Sequence, residues 1–193
     1  MSRAILLPAA GASRRMQGRD KLLELVDGVP LIRRAALRAM ATGARVLVTL
    51  PMGSQRHDVL AGLSVSIAEI DATEGMAASL RAGGAWASDS GASALMVALP
   101  DMPDITSQDM SLLFTVQEAT PDAPLRATTE SGAPGHPVIL PRGLFSAMAG
   151  LQGDAGARAI LVDHPPRLHP LPGQRALTDL DTPKAWAAWR AKR

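Results

Sequence analysis

The chain has 193 residues, 47% hydrophobic and 20% charged, with a formal net charge of +2, the balance of one ordinary globular domain rather than a disordered segment. It contains no cysteine, which excludes disulfide frameworks, thiolate zinc sites, iron–sulfur clusters and cysteine nucleophiles. Five aromatic residues are too few for a base-stacking platform and no apolar run is long enough to span a bilayer, so neither nucleic acid nor membrane is an expected partner.

Ala4–Leu7 reads as a first buried strand. Arg3, the run Ala4–Ala9 and Ala10-Gly11-Ala12 imitate a secretory leader, but that run is six residues long and contains Pro8, short of the roughly 7–15 apolar residues a leader uses. The segment is expected to be mature structure and the protein cytoplasmic. Pro30–Thr42 reads as a helix, with proline in its first turn and Gly43 at its end. Arg45–Leu50 follows as a strand, Gln55–Leu63 as a weaker helix, Val65–Ile70 as a strand and Met76–Ala87 as a helix. Ala94–Leu99 is the most continuous apolar strand. Ser107–Ala119 reads as a helix with Ser107 as its cap, Leu125–Thr129 and Val138–Leu140 as strands, and Leu144–Ala149 and Ala155–Val162 as helices. Pro183–Lys192 closes the chain as a helix capped by Thr182. Short strands alternating with helices predict an α/β fold, a mostly parallel central sheet with helices on both faces. Ligands in such sheets bind outside the carboxyl ends of the strands, which selects the loops opening at Pro8, Pro51, Asp71 and Pro100.

The sequence pI near 9.7 reflects 17 arginines against three lysines with no tyrosine or cysteine, because little then titrates between neutrality and the lysine range. Distribution is more informative. Residues 1–50 hold nine Lys/Arg against three Asp/Glu, +6, leaving −4 for the other 143 residues, and this asymmetry points to a local anion site. The stretch from Pro8 through Ala9, Ala10, Gly11, Ala12 and Ser13 to Arg14, Arg15, Met16, Gln17, Gly18, Arg19, Asp20 and Lys21 has the composition for one. Small residues admit a ligand to the backbone, successive N–H groups form an anion-binding concavity, and Arg3, Arg14, Arg15, Arg19 and Lys21 supply cations. A tight turn with solvated arginines would use the same letters. Lys21 is the only lysine in the first 183 residues, as though a compact point charge were required. The stretch matches neither the P-loop nor the dinucleotide-binding pattern.

After Leu99, Asp101 lies between Pro100 and Pro103 with Asp104 following; a rigid carboxylate at a strand end suits Mg²⁺, and a turn or cap aspartate is the alternative, which fits Asp104 better. Asp179-Leu180-Asp181-Thr182-Pro183 taken alone reads as a helix cap. Asp71-Ala72-Thr73-Glu74-Gly75-Met76-Ala77-Ala78-Ser79-Leu80 enters a helix through small residues, consistent with a bound group at its N-terminus or with tight packing. Arg158 near glycines could hold a phosphate, Asp154 reads as a helix cap, and His136 before Pro137 is structural or catalytic. His57, His164 and His169 fall in no motif.

The first loop resembles the signature L-A-x-G-x-S-x-R-M-G-x-x-K of the MobA-like nucleotidyltransferases, with Pro8 where leucine is usual and Gln17 where glycine is usual. Pro8 lacks an N–H, so no backbone donation can occur there. The resemblance runs from Ile5 to Trp186, and it implies a three-layer Rossmann-like nucleotidyltransferase fold over 1–193, the first half binding the nucleotide and the second the acceptor. It implies that Asp181 completes a metal shell with Asp101, Asp179 being secondary, and that the Gly75–Ser79 segment lies beside the nucleotide. Ala9-Ala10, Gly135-His136-Pro137 and Gly153–Arg158 resemble the cytidylyltransferase branch, MocA, where the latter two segments face a pterin. The implied protein is an Mg²⁺-dependent enzyme that moves CMP from CTP onto a molybdopterin phosphate, with a molybdoenzyme as a client. Its nucleotide would be held by Pro8, Ala9, Ala10, Gly11, Ser13, Arg15, Lys21, Asp71, Gly75 and Ser79. Arg15, Lys21 and Asp101 would be catalytic, Asp101 and Asp181 would hold the metal, and His136, Asp154 and Arg158 would face the acceptor. Alternatives are GTP, a sugar phosphate or methylerythritol phosphate acceptor, or a non-catalytic nucleotide-binding protein that delivers cofactor.

Overall fold

The structure is a computed structural model that describes residues 2–153 and 156–192. Nine strands and seven α-helices are defined among these residues: β1 (Arg3–Pro8), β2 (Leu25–Val26), β3 (Val29–Pro30), α1 (Leu31–Met40), β4 (Arg45–Pro51), α2 (Arg56–Leu60), β5 (Ser66–Ile70), α3 (Met76–Asp89), β6 (Ala94–Val97), α4 (Ser107–Glu118), β7 (Leu125–Thr128), β8 (Pro134–Pro141), α5 (Phe145–Met148), α6 (Arg158–Asp163), β9 (Arg167–Pro170) and α7 (Pro183–Arg190). Seven strands form one sheet in the order β5-β4-β1-β6-β8-β7-β9. Every pairing is parallel except the two that β8 makes with β6 and β7. The chain winds from β1 through β4 to β5, then returns to lay β6 on the other side of β1, so the order reverses between β1 and β6. No helix among the described residues is long and apolar enough to cross a membrane.

Alternation along the strands builds the layers. Ile5 and Leu7 of β1 and Met96 of β6 face one core, with Leu31 and Ile32 of α1, Leu113 and Phe114 of α4, and Trp186 of α7. Ala4, Leu6, Leu95 and Val97 face the other, with Leu80 of α3, Met148 of α5 and Ile160 of α6. Successive side chains on a strand point to opposite faces, so one central strand supplies both cores. Gly83 and Gly84 lie inside α3, where each glycine costs about 0.5–1 kcal/mol of helix stability. A Cβ at Gly83 would come 2.5 Å from Leu6 Cδ2, and one at Gly84 3.0 Å from Met148. The absent methyls let α3 lie flat on β1 and α5.

The structure corrects several local expectations. The cap of α4 is Thr106, not Ser107: Thr106 Oγ1 accepts from the Asp109 N–H at 3.1 Å while the Asp109 carboxylate accepts from the Thr106 N–H at 2.9 Å, a reciprocal capping box. Asp27 and Gly28, both at positive φ, close a two-residue turn between β2 and β3, a pairing the Asp-Gly dipeptide encodes. Strand β9 is absent from the predicted elements; it lies in a proline-rich stretch at the sheet edge, where proline does no damage to the ladder. The helix expected from Ala155 starts at Arg158 among the described residues.

Candidate active site

The loop after β1 crosses the carboxyl edge of the sheet at the point where strand order reverses, the position at which open α/β sheets form a crevice. Ala9 is buried and donates its N–H to Thr49 O at 3.0 Å. Ser13 and Gln17 adopt left-handed φ of 50° and 55° on either side of a single 3₁₀ turn, Arg14–Met16, whose Met16 is fully buried. The left-handed backbone at position 17 explains why glycine is the usual residue there, since a side chain costs about 1–2 kcal/mol in that region. Under the loop lies Arg56, the first residue of α2 and 4% exposed. No sequence signal marked it.

Three distant segments then converge. Leu180 N–H donates to Asp101 O at 3.0 Å, which stitches the segment before α7 to the loop after β6. Thr182 Oγ1 caps α7 through the Ala185 N–H at 3.1 Å and leaves Asp181 just outside the helix. The Lys21 ammonium donates to both Asp101 Oδ2 and Asp181 Oδ1, and Arg15 pairs with Asp181 Oδ2. Lys21, Asp101 and Asp181, brought together across 160 residues, are all largely sheltered, with side-chain exposures of 15%, 11% and 18%. Burial alone would lower the Lys21 pKa, but the two carboxylates outweigh it and hold the ammonium above its ordinary value. Burial alone would raise Asp181; Lys21 and then Arg15 more than offset that and hold it low. Asp179 is pushed up by burial and by the Asp181 and Asp101 charges; it lines a separate cleft with Arg34, Arg38 and Arg175.

These directions give a signed prediction. A carboxyl held low in the native state contributes stability that is present above its unfolded pKa and lost as pH falls through the native one. Between about pH 5 and pH 2.5, wild type should therefore lose more stability than Asp181→Asn, read as the change in denaturation midpoint of each protein. Parallel losses would remove Asp181 from the ion cluster.

The cluster fits a hard divalent cation. Asp101 Oδ1 is buried with no hydrogen-bond partner among the described residues, and Asp101 and Asp181 already gather one cation, the ammonium. No group of three or more His, Cys, Asp or Glu that could hold a metal occurs among the described residues. Two carboxylates with the remaining positions left to water and ligand phosphates is the pattern of Mg²⁺ at phosphoryl-transfer sites.

Two clefts open beside the start of α3, and Lys21, Asp101 and Asp181 are not among the residues that line them. One of about 380 Å³ lies between the first loop and the start of α3, lined by Pro8, Ala10, Gly11, Arg14, Gly75 and Ser79 among others. Ser13 is turned inward to Asp20 and Arg56. Asp71 caps the turn before α3, accepting from Thr73 N at 2.8 Å and Thr73 Oγ1 at 2.6 Å; these bonds hold its carboxyl low. The second cleft, about 590 Å³, brings His136 and Arg158 together with Arg126, against Leu80, Val97, Val138 and Leu161. Met76 borders both clefts. Asp154 lies outside the described residues. His136 is pulled down by burial and then by Arg126, and its Nδ1 is buried without a partner among the described residues. Gly135 has a packing role, since a Cβ there would come 1.9 Å from Ala176 O, and the adjacent His136 N–H donates to that same oxygen at 2.9 Å.

The basic character of residues 1–50 is not all at this site. Arg3 lies at the opposite end of β1, bound to Glu118 at 2.8 Å. Arg33, Arg38 and Arg45 hold backbone carbonyls elsewhere, and Arg34 pairs with Asp27 at 3.0 Å. Asp104, read as a turn residue, accepts from Trp189 Nε1 at 2.8 Å.

The model of the family described as MobA-like NTP transferase domain matches residues 4–168. No curated protein matches the sequence. Among solved structures, Rv0371c from Mycobacterium tuberculosis H37Rv is similar with a TM-score of 0.84 at 23% identity, covering 97% of this chain and 96% of its own. The same protein in complex with manganese gives 0.77 at 21%, over 97% of each chain. A nucleotidyl transferase from Methanothermobacter gives 0.78 at 18%, over 99% and 97%. A CMP:2-keto-3-deoxy-manno-octonic acid synthetase complexed with CTP gives 0.77 at 14%, over 100% and 98%. At these identities the structures establish the fold.

Proposed function

The chain belongs to the MobA-like NTP transferase family, and on that premise we propose that it moves CMP from CTP onto a phosphorylated acceptor, releasing pyrophosphate, with Mg²⁺ as its metal. The observation that carries this reading is the convergence of Lys21, Asp101 and Asp181 at the strand-order reversal. The CTP bound by one structural neighbour supports the cytidine assignment. The acceptor is a molybdenum-bound pterin phosphate, and the product, a dinucleotide form of that cofactor, passes to a molybdoenzyme client.

In the reaction, an anionic oxygen of the acceptor phosphate attacks the α-phosphorus. The new oxygen–phosphorus bond forms as the bond to the bridging β-oxygen breaks, and both electrons leave with pyrophosphate. The attacking oxygen carries no proton at neutral pH, so no general base is required. Catalysis then rests on positioning and charge. Arg15 and Lys21 hold the β- and γ-phosphates and neutralise the departing group. Asp101 and Asp181 hold the metal, which when bound draws charge from the α-phosphate. Pro8, Ala10, Gly11, Gly75 and Ser79 border the nucleotide, and His136, Arg126 and Arg158 face the acceptor.

The test is pyrophosphate release measured over a matrix of CTP, GTP, ATP and UTP against molybdopterin, sugar phosphates and methylerythritol phosphate, with Mg²⁺ and Mn²⁺. Release with CTP and molybdopterin ahead of all other pairs is the expected result. Preference for another acceptor replaces the acceptor assignment alone, and tight CTP binding without release under every condition makes the protein a nucleotide-binding carrier.

A further inference from the structure

Arg56 reaches the loop after β1 from below. A guanidinium with 5% side-chain exposure is strongly unfavourable unless its N–H groups are paired. Among the described residues, all its side-chain bonds go to this one loop. Nε donates to Asp20 Oδ2 at 2.7 Å and Nη2 to Asp20 Oδ1 at 2.8 Å, a bidentate fork. Nη1 donates to Ala9 O, and Nη2 donates also to Gly11 O at 2.8 Å and toward Ser13 Oγ at 3.4 Å. Asp20 is in turn held by the Leu22 N–H at 3.0 Å and Ser13 Oγ at 3.3 Å.

Peptide geometry turns this clamp into a statement about the opposite side of the loop. In a planar trans peptide the C=O of one residue and the N–H of the next point in opposite directions. With the Ala9 and Gly11 carbonyls drawn down to Arg56, the Ala10 and Ala12 N–H groups face away from it. Ala10 and Ala12 border the cleft between the loop and α3, and among the described residues neither N–H has a backbone acceptor. The fork is specific to arginine: an ammonium offers no planar pair of donors for a carboxylate and two carbonyls at once.

We infer that Arg56 is the positioning residue of the triphosphate loop: by holding two carbonyls inward it aims the Ala10 and Ala12 amides at the phosphates, without touching the nucleotide. The inference deepens the nucleotidyl-transfer reading and rests on it, yet its core claim concerns an anion and two amides.

The probe is sodium tripolyphosphate with magnesium chloride, followed by calorimetry and by the ¹H–¹⁵N resonances of Ala10 and Ala12. In wild type both resonances shift on saturation. Arg56→Lys and Arg56→Met should weaken tripolyphosphate binding by about 10- to 100-fold, the size of losing one or two aligned hydrogen bonds to a charged ligand, and should raise KM for the nucleotide by a similar factor while KM for the acceptor stays put. Asp20→Asn, which keeps the shape of the loop and weakens the fork, should show the same selective loss at smaller size. It decides the matter if both Arg56 variants fail to fold. Unchanged tripolyphosphate affinity in folded variants, or Ala10 and Ala12 resonances that ignore saturating tripolyphosphate, overturns the inference. If those resonances shift in wild type and the variants lose affinity, but no nucleotide is turned over, the positioning role stands and the transfer reading falls.

Discussion

Lys21→Ala is expected to lower turnover by about 10²–10³-fold in a protein that remains folded, the loss typical of one preorganised charge acting on the transition state. Its ammonium is held above the ordinary lysine pKa by Asp101 and Asp181 despite burial, so it is charged throughout the physiological range. In the free protein it also keeps two carboxylates from facing each other unpaired. Removing it should therefore reduce stability by about 1–3 kcal/mol, less than the full 3–5 kcal/mol seen for deeply buried pairs because all three groups keep some contact with water. A domain of ordinary stability survives that. Lys21→Arg should not restore the rate, since a planar fork cannot stand where a compact ammonium sits between two carboxylate oxygens. Calorimetry on the nucleotide-free protein gives a second reading: Lys21→Met should bind Mn²⁺ more tightly than wild type, because the resident cation has gone. Near-normal turnover in Lys21→Ala, with Mn²⁺ affinity unchanged in Lys21→Met, would sink the assignment.

The second large effect belongs to Asp101. Asp101→Asn preserves shape and removes the negative charge, and turnover should fall by about 10³-fold or more, by comparison with other deletions of a preorganised charge at a reacting phosphate or oxyanion. Activity plotted against Mg²⁺ should flatten, and no metal concentration should recover it. Stability should fall by about 1–2 kcal/mol, because the sheltered Lys21 ammonium loses one of its two carboxylate partners while Asp181 remains. Asp104→Asn is the matched control: its carboxylate accepts from the Trp189 indole and plays no part in the ion cluster, so the rate should stay within a factor of about two, a change under ~0.5 kcal/mol in activation free energy. Equal losses from the two substitutions would assign Asp101 to packing rather than chemistry.

Some features of this protein are local, and one-dimensional order suffices to read them. The continuous apolar runs Ala4–Leu7 and Ala94–Leu99 announce buried strands, proline and glycine bracket α1, and proline opens α7. The family signature around Ser13, Arg15 and Lys21 is contiguous, and so is the aspartate between two prolines. Where local signals mislead, a neighbour in sequence competes for the same role: Thr106 stands beside Ser107, and only the box with Asp109 shows which one caps α4. Proline near Leu168 conceals a strand because edge position is a property of the sheet, not of the segment.

What tertiary structure alone decided is which charges meet. Composition places nine cations among residues 1–50, yet Arg3 is carried to the far end of β1 and Arg33, Arg34, Arg38 and Arg45 to other partners. Arg56 carries no motif; its importance follows from the chain passing over it, 47 residues back in sequence at Ala9. Asp101 and Asp181 are 80 residues apart, and they meet because a backbone hydrogen bond from Leu180 draws one segment onto the other. Strand and helix formation depends on near neighbours and is therefore written along the chain. Charge pairing depends on distance in space, and a folded backbone is what converts separation in sequence into contact.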